Sequence, residues 1–334
     1  GPSVPEELGG GGVADFRYRM VVMEELCRVG ANSFNAGLSV QDDLVMPYVV
    51  DLGSDQQRAE WLPRLCAGSA IGSLALTEPG AGSDLRGIRT TARRDGDGWI
   101  LNGAKTFITS GTRADFVTTA VRTGGPGHAG VSLLVVERGT PGFTVDRALT
   151  KMGWHCSDTA QLSYVDVRVP VENLVGVENA GFYQIAEQFV VERIALAVHG
   201  YGIAARALDL TAAYCQERDT FGKPLVANQV VRHALVEMRR QVEIARSYTR
   251  EVARRHVAGE NVIAEACLAK ETACNTATYV CDKAVQLHGG DGVKSGETVE
   301  RLYREIRALR IYEGASDEQK VIIAGQTLDA AVAG

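Results

Sequence analysis

The chain has 334 residues, which at roughly 150 residues per domain is enough for two or three folded units. Apolar residues make up 45% and charged residues 23%, which excludes a disordered tail protein, and no apolar run approaches the roughly 20 residues of a membrane helix. With 35 basic against 41 acidic residues, the net charge of −6 makes nucleic acid a poor partner.

Of the basic residues 28 are Arg and 7 are Lys, and the six His are scattered with no H-E-x-x-H. The seven Cys form no C-x-x-C pair, and Cys267, Cys274 and Cys281 recur every seven residues, along one face of a helix. Buried free thiols are expected, with no metal site. No cationic start leads into an apolar stretch, so a cytoplasmic protein without membrane attachment is expected.

From Asp15 to Ala67 the apolar spacing is helical, as at Met23, Leu26, Cys27 and Gly30. Ser54 reads as the N-cap of a short helix and Gly68 as its stop. From Ala70 to Val177 short β-branched and aromatic stretches alternate with turns. Thr90–Arg94 and Trp99–Leu101 predict a hairpin around Asp97-Gly98. Val117–Val121, Val131–Val136 and Leu162–Val169 are further strands, and Thr123–Gly130 is a loop. Strands with no helices between them predict a barrel or sandwich. From Ala180 onward four or five amphipathic helices are predicted, with spans 180–217, 226–257, 260–288, 297–312 and 317–330, making a four-helix-type bundle. The class is α+β, with domains at 1–69 (helical), 70–178 (β) and 179–334 (helical).

Four motifs stand out. Gly200-Tyr201-Gly202-Ile203-Ala204-Ala205 matches G-x-G-x-x-A but lies inside a helical pattern, so it reads as small-residue packing and not as a dinucleotide site. Leu76-Thr77-Glu78-Pro79-Gly80-Ala81-Gly82-Ser83 ends a strand in a glycine-rich turn, whose N–H and hydroxyl groups suit phosphates or a ring's carbonyl edge. Lys105-Thr106-Phe107-Ile108-Thr109 places an aromatic ring and a hydroxyl two positions apart on one side of a strand. Ile311-Tyr312-Glu313-Gly314-Ala315-Ser316 sets a carboxylate between apolar residues and a glycine, with Ser316 as N-cap of the last helix. A Glu desolvated by Ile311 and Tyr312 is a better general base than a solvated one.

Taken in order, T-E-P-G-A-G-S-D from Thr77, K-T-F-I-T-S-G from Lys105 and I-Y-E-G-A-S from Ile311 resemble the acyl-CoA dehydrogenase family. K-M-G-W-H-C-S-D-T from Lys151, D-V-R-V-P from Asp166, R-D-T-F-G-K-P from Arg218 and Q-L-H-G-G-D-G from Gln286 extend the likeness over nearly the whole chain. The resemblance implies a helical–β–helical subunit with FAD between the β-domain and the C-terminal bundle. It assigns Leu76 and Thr77 to the pyrimidine side of the flavin, Phe107 to its face and Thr109 to its N5 region, with Ile108 also in the cofactor site. Gly82 and Ser83 would lie near the pyrophosphate, Ser83 also near the pantetheine arm. Arg218, Phe221, Gln229, Gln286, Gly289 and Gly290 would reach a neighbour's adenosine half in a homodimer or homotetramer, and Ser316 would join the cofactor site.

Ser157, Arg193, Tyr312 and Gly314 would contact the acyl-CoA. Glu313 would take the α-proton while hydride leaves the β-carbon for flavin N5. The thioester carbonyl would be polarised by the Glu313 N–H and a ribityl hydroxyl, and electrons would pass to electron-transfer flavoprotein. Some members carry the base one residue before the CoA-contacting Arg, here Glu192, which is the fallback. Ala315 stands where a Thr is common, Phe107 where several members have Trp, and the family's opening helices are missing before Gly1. A dehydrogenase of carrier-bound thioesters and a flavin oxidase or monooxygenase of the same fold are the rival readings.

Overall fold

A computed structural model describes residues 1–333, with side chains through Leu328. The chain divides into two compact units, Gly1–Ala14 with Ala36–Phe189, and Asp15–Asn35 with the segment from Val190 onward.

The helical part of the first unit runs from Ala36, inside α2 (Asn32–Ser39), through a π-helical turn to α3 (Met46–Leu52) and then α4 (Asp55–Cys66). Ser54 caps α4 as expected: its hydroxyl accepts from the Gln57 N–H while the Gln57 side chain accepts from the Ser54 N–H. Gly68, at φ +70, supplies the left-handed residue after the helix.

The strands are β1 (Gly72–Ala75), β2 (Thr91–Asp95), β3 (Gly98–Thr109), β4 (Phe116–Arg122), β5 (Val131–Glu137), β6 (Phe143–Ala148), β7 (Thr159–Pro170) and β8 (Leu174–Val175). They form one sheet in the order β6-β7-β3-β2-β4-β5-β8, with β1 parallel to β4. The hairpin turns at Gly96-Asp97, one residue before the expected place, because Asp95 pairs with Gly98 and Gly96 takes the left-handed conformation at φ +60. Alternation along β4 and β5 separates two cores. Phe116, Ala120, Leu133 and Val135 pack with Tyr48, Trp61 and Leu62 of the helices. Val117, Val121, Leu134 and Val136 pack with Trp99, Leu101 and Leu162 of β3 and β7. One face of β4–β5 thus meets another part of its own sheet, which gives the β-domain its barrel-like curl.

The second unit gathers α1 (Phe16–Arg28), α5 (Gly181–Glu217) from Val190, α6 (Gln229–Val257), α7 (Ile263–His288), α8 (Thr298–Ile306) and α9 (Ser316–Ala333). Gly30, at φ +79, ends the α1 pattern and does not continue it. The helix expected over 297–312 stops at Ile306 and tightens into a 3-10 turn over Arg307–Arg310. Met20, Met23, Ile194, Val198, Tyr201, Val252 and Ala269 share one core. The glycines of the G-x-G-x-x-A motif serve packing: a Cβ on Gly200 would stand 2.9 Å from the Ala273 carbonyl oxygen, and one on Gly202 3.0 Å from Cys27. Cys267, Cys274 and Cys281 are free and buried along α7, and burial pushes the Cys274 thiol up to about 12. Among the described residues no helix is long and apolar enough to cross a membrane.

Candidate active site

The ends of β1 and β3 lie together in the first unit. The Thr106 N–H donates to the Thr77 carbonyl at 2.9 Å, and Ser73 Oγ to the Thr109 carbonyl at 2.6 Å. This brings Leu76 and Thr77 beside Phe107, Ile108 and Thr109. The register of β3 against β7 slips between Lys105 and Ile108, and Phe107 sits in the slip at φ +61. Its ring is 68% exposed while Ile108 beside it is buried. The motif therefore works through a bulge and not through plain strand alternation.

Beneath that surface lies an ion pair that the motif reading missed. Lys105 Nζ, fully buried, donates to the Leu76 carbonyl at 2.9 Å and to Glu78 Oε1 at 3.0 Å. Glu78 also accepts from the Arg89 and Thr90 N–H groups at 2.6 and 2.9 Å. Burial lowers the Lys105 pKa to about 8, against the pull of Glu78. Burial pushes Glu78 upward, but Lys105 and the two N–H donors outweigh it and leave the carboxyl below its usual range. Reciprocal bonds between Glu78 and Ala81 close the turn that follows. Gly82 and Ser83 lie exposed beyond it, and a Cβ on Gly82 would meet nothing within 4 Å. Ser157 is buried near the start of β7, its carbonyl accepting from Lys151 Nζ.

The second cluster surrounds the Tyr312-Glu313-Gly314 turn. Glu313 holds φ +53 and Gly314 φ +90, a conformation costly for a glutamate unless its surroundings impose it. Here they do. Lys270 Nζ donates to the Tyr312 carbonyl and, at 2.7 Å, to the Gly314 carbonyl. Arg193 Nε reaches the Glu313 carbonyl at 3.4 Å. Gln319 Nε2 donates to the Glu313 and Gly314 carbonyls at 3.3 and 2.9 Å. Three successive carbonyls are thus occupied, while the Glu313 N–H donates to no backbone carbonyl among the described residues.

Glu313 itself is half-buried, and Ile311 is 58% exposed, so Ile311 does not seal the carboxylate as expected. Glu192 is only 1% exposed. Gln319 N–H bonds the Ala315 carbonyl, which puts Ala315 at the cap position and makes Ser316 the first helical residue instead of the cap. Lys270 and Gln319 escaped the motif reading, although a signal existed for Lys270. It falls three residues after Cys267 and four before Cys274, on the buried face of α7. A lysine in such a row needs internal acceptors.

Arg218, Phe221, Gln229, Gln286, Gly289 and Gly290 take no part in either cluster and are all exposed. Phe221 caps a two-residue hairpin (β9 Asp219–Thr220, β10 Lys223–Pro224) at φ +52 and is 99% exposed.

An exposed aromatic ring beside an open glycine turn offers a face and a phosphate cradle that this chain does not fill, and these fit a flavin dinucleotide. Residues 1–69, 73–167 and 179–328 match the N-terminal, middle and C-terminal domains of acyl-CoA dehydrogenase. The long-chain specific acyl-CoA dehydrogenase of Sus scrofa mitochondria is 37% identical over 97% of this chain and 75% of its own length. The acyl-CoA dehydrogenase of Geobacillus kaustophilus superposes with a TM-score of 0.95 at 41% identity, covering 98% of this chain and 86% of that one. Butyryl-CoA dehydrogenase of Megasphaera elsdenii does so with a TM-score of 0.95 at 34% identity, over 98% and 86%. The chain belongs to the acyl-CoA dehydrogenase family, whose cofactor is FAD.

Proposed function

We propose that the protein desaturates an acyl-CoA thioester between Cα and Cβ, giving the trans-2-enoyl-CoA, with Glu313 as the base. The observation that carries this reading is the Tyr312-Glu313-Gly314 turn, whose three carbonyls are held by Lys270, Arg193 and Gln319. Holding the carbonyls fixes the direction of the intervening N–H. That N–H is then available to the thioester oxygen, where negative charge develops as the α-proton leaves.

The Glu313 carboxylate, half-exposed on the same residue, accepts that proton. FAD, when bound, would supply the acceptor for the hydride from Cβ and the route for its electrons to electron-transfer flavoprotein. Phe107 would offer its exposed face to the ring, with Leu76, Thr77 and Thr109 near it, the buried Ile108 supporting the bulge behind it, and Gly82 and Ser83 toward the phosphates. Ser157, Tyr312 and Gly314 serve the substrate, and Arg193 serves both the CoA moiety and the turn. The exposed set from Arg218 to Gly290 serves a second copy of the chain, and Ser316 completes the cofactor site.

Substitution separates the two candidate bases. Glu313→Gln is expected to lower turnover by about a hundredfold or more with FAD retained, while Glu192→Gln stays near wild type. Full turnover in Glu313→Gln with its loss in Glu192→Gln would move the base to α5.

A further inference from the structure

We infer that Lys270 is a positioning residue that sets the strength of the Glu313 N–H toward the thioester oxygen, a role that rests on the proposed assignment of Glu313. The Tyr312 carbonyl and the Glu313 N–H belong to one peptide group. A cation that donates to the oxygen of that group draws electron density from its nitrogen and makes the N–H a stronger donor. Lys270 makes such a bond, and the side chain is 1% exposed. In that low-dielectric position its bonds count for more than they would in water.

The second bond of Lys270, to Gly314, grips the far side of Glu313. One ammonium therefore holds both flanks of the catalytic turn. Arg193 and Gln319 hold only the two later carbonyls, so neither replaces Lys270 on the peptide group that carries the N–H. Burial keeps Lys270 below the ordinary lysine range, opposed by Cys274 and Glu313. The ammonium is thus kept where only a particular set of acceptors sustains it. A lysine with no duty beyond the fold would be replaceable by an apolar side chain of equal volume.

The test uses the flavin-loaded protein and an isotope-labelled acyl-CoA with sulfur at the β-position, which binds but cannot be desaturated. In Lys270→Met turnover is expected to fall by about tenfold or more with little change in KM. The carbonyl stretch of the bound analogue is expected to move back toward its value in water. Lys270→Gln keeps a donor without the charge and is expected to lie between the two; it carries the test if the Met variant does not fold. A carbonyl stretch equal to wild type in either folded variant would overturn the proposal. Glu313→Gln, measured in parallel, separates the two claims. Full turnover there defeats the base assignment, whereas its loss beside an unshifted stretch in Lys270→Met defeats only the role of Lys270.

Discussion

A lysine ammonium and a glutamate carboxylate meet 3.0 Å apart inside the β-domain, and the shape of the glycine turn depends on them. Lys105 and Glu78 are both nearly inaccessible, so each is tolerable only because of the other. Glu78→Gln leaves Lys105 buried without its counter-charge and is expected to cost about 3–5 kcal/mol of stability. The double variant Lys105→Met with Glu78→Gln is expected to recover most of that loss, as read from denaturant midpoints.

The pH dependence has two signs. Lys105 titrates near 8 when folded and at its ordinary 10.5 when unfolded. Between those values the unfolded chain binds more protons, so this group makes stability rise with pH across that window. The folded pKa of Glu78 lies below 4.5, so its contribution is present above that value and is lost as pH falls through the folded one. Lys105→Met should remove its share of the alkaline rise and leave that of Lys270.

At the scale of elements, α5 shows why a dinucleotide-like string of glycines folds as a helix. At Gly200 α5 passes close to the backbone of α7, and the methyl of Gly200→Ala would press on the Ala273 carbonyl at 2.9 Å. A loss of about 1–3 kcal/mol is expected, measured by urea unfolding. Helical periodicity made this legible, since all 37 residues of α5 lie inside the span 180–217 read from sequence, with one residue to spare. The strands were legible where β-branched residues cluster, as in Val131–Val136. The edge strand β6 was not, because Phe143–Ala148 is exposed over most of its length and its apolar alternation ends at Val145, before the register shift at Arg147. The bulge at Phe107 was equally hidden, since a left-handed phenylalanine is fixed by pairing with β7 and not by its neighbours in sequence.

The whole molecule divides in a way that local pattern does not foretell. The segment Asp15–Asn35 belongs with the C-terminal helices, because Met20 and Met23 pack with Ile194, Val198 and Ala269. Only long-range contact determines that choice. The motifs singled out Glu313 and Phe107, whereas the parts played by Gln319, Lys105 and Glu78 emerge from the carbonyls and charges they meet, and Lys270 left only its place in the buried cysteine row. The relatives range from a long-chain enzyme to a butyryl-CoA enzyme at nearly equal identity, so a substrate panel should cover both.

The most direct test of the account is an anaerobic visible spectrum of the flavin-loaded protein, and of its Glu313→Gln variant, before and after addition of acyl-CoAs from butyryl to palmitoyl. The account predicts that at least one chain length bleaches the flavin of the wild type and that the same ester leaves the variant yellow. Bleaching of both at equal rates would contradict Glu313 as the base, and a wild-type flavin that no CoA ester bleaches would contradict acyl-CoA as the substrate.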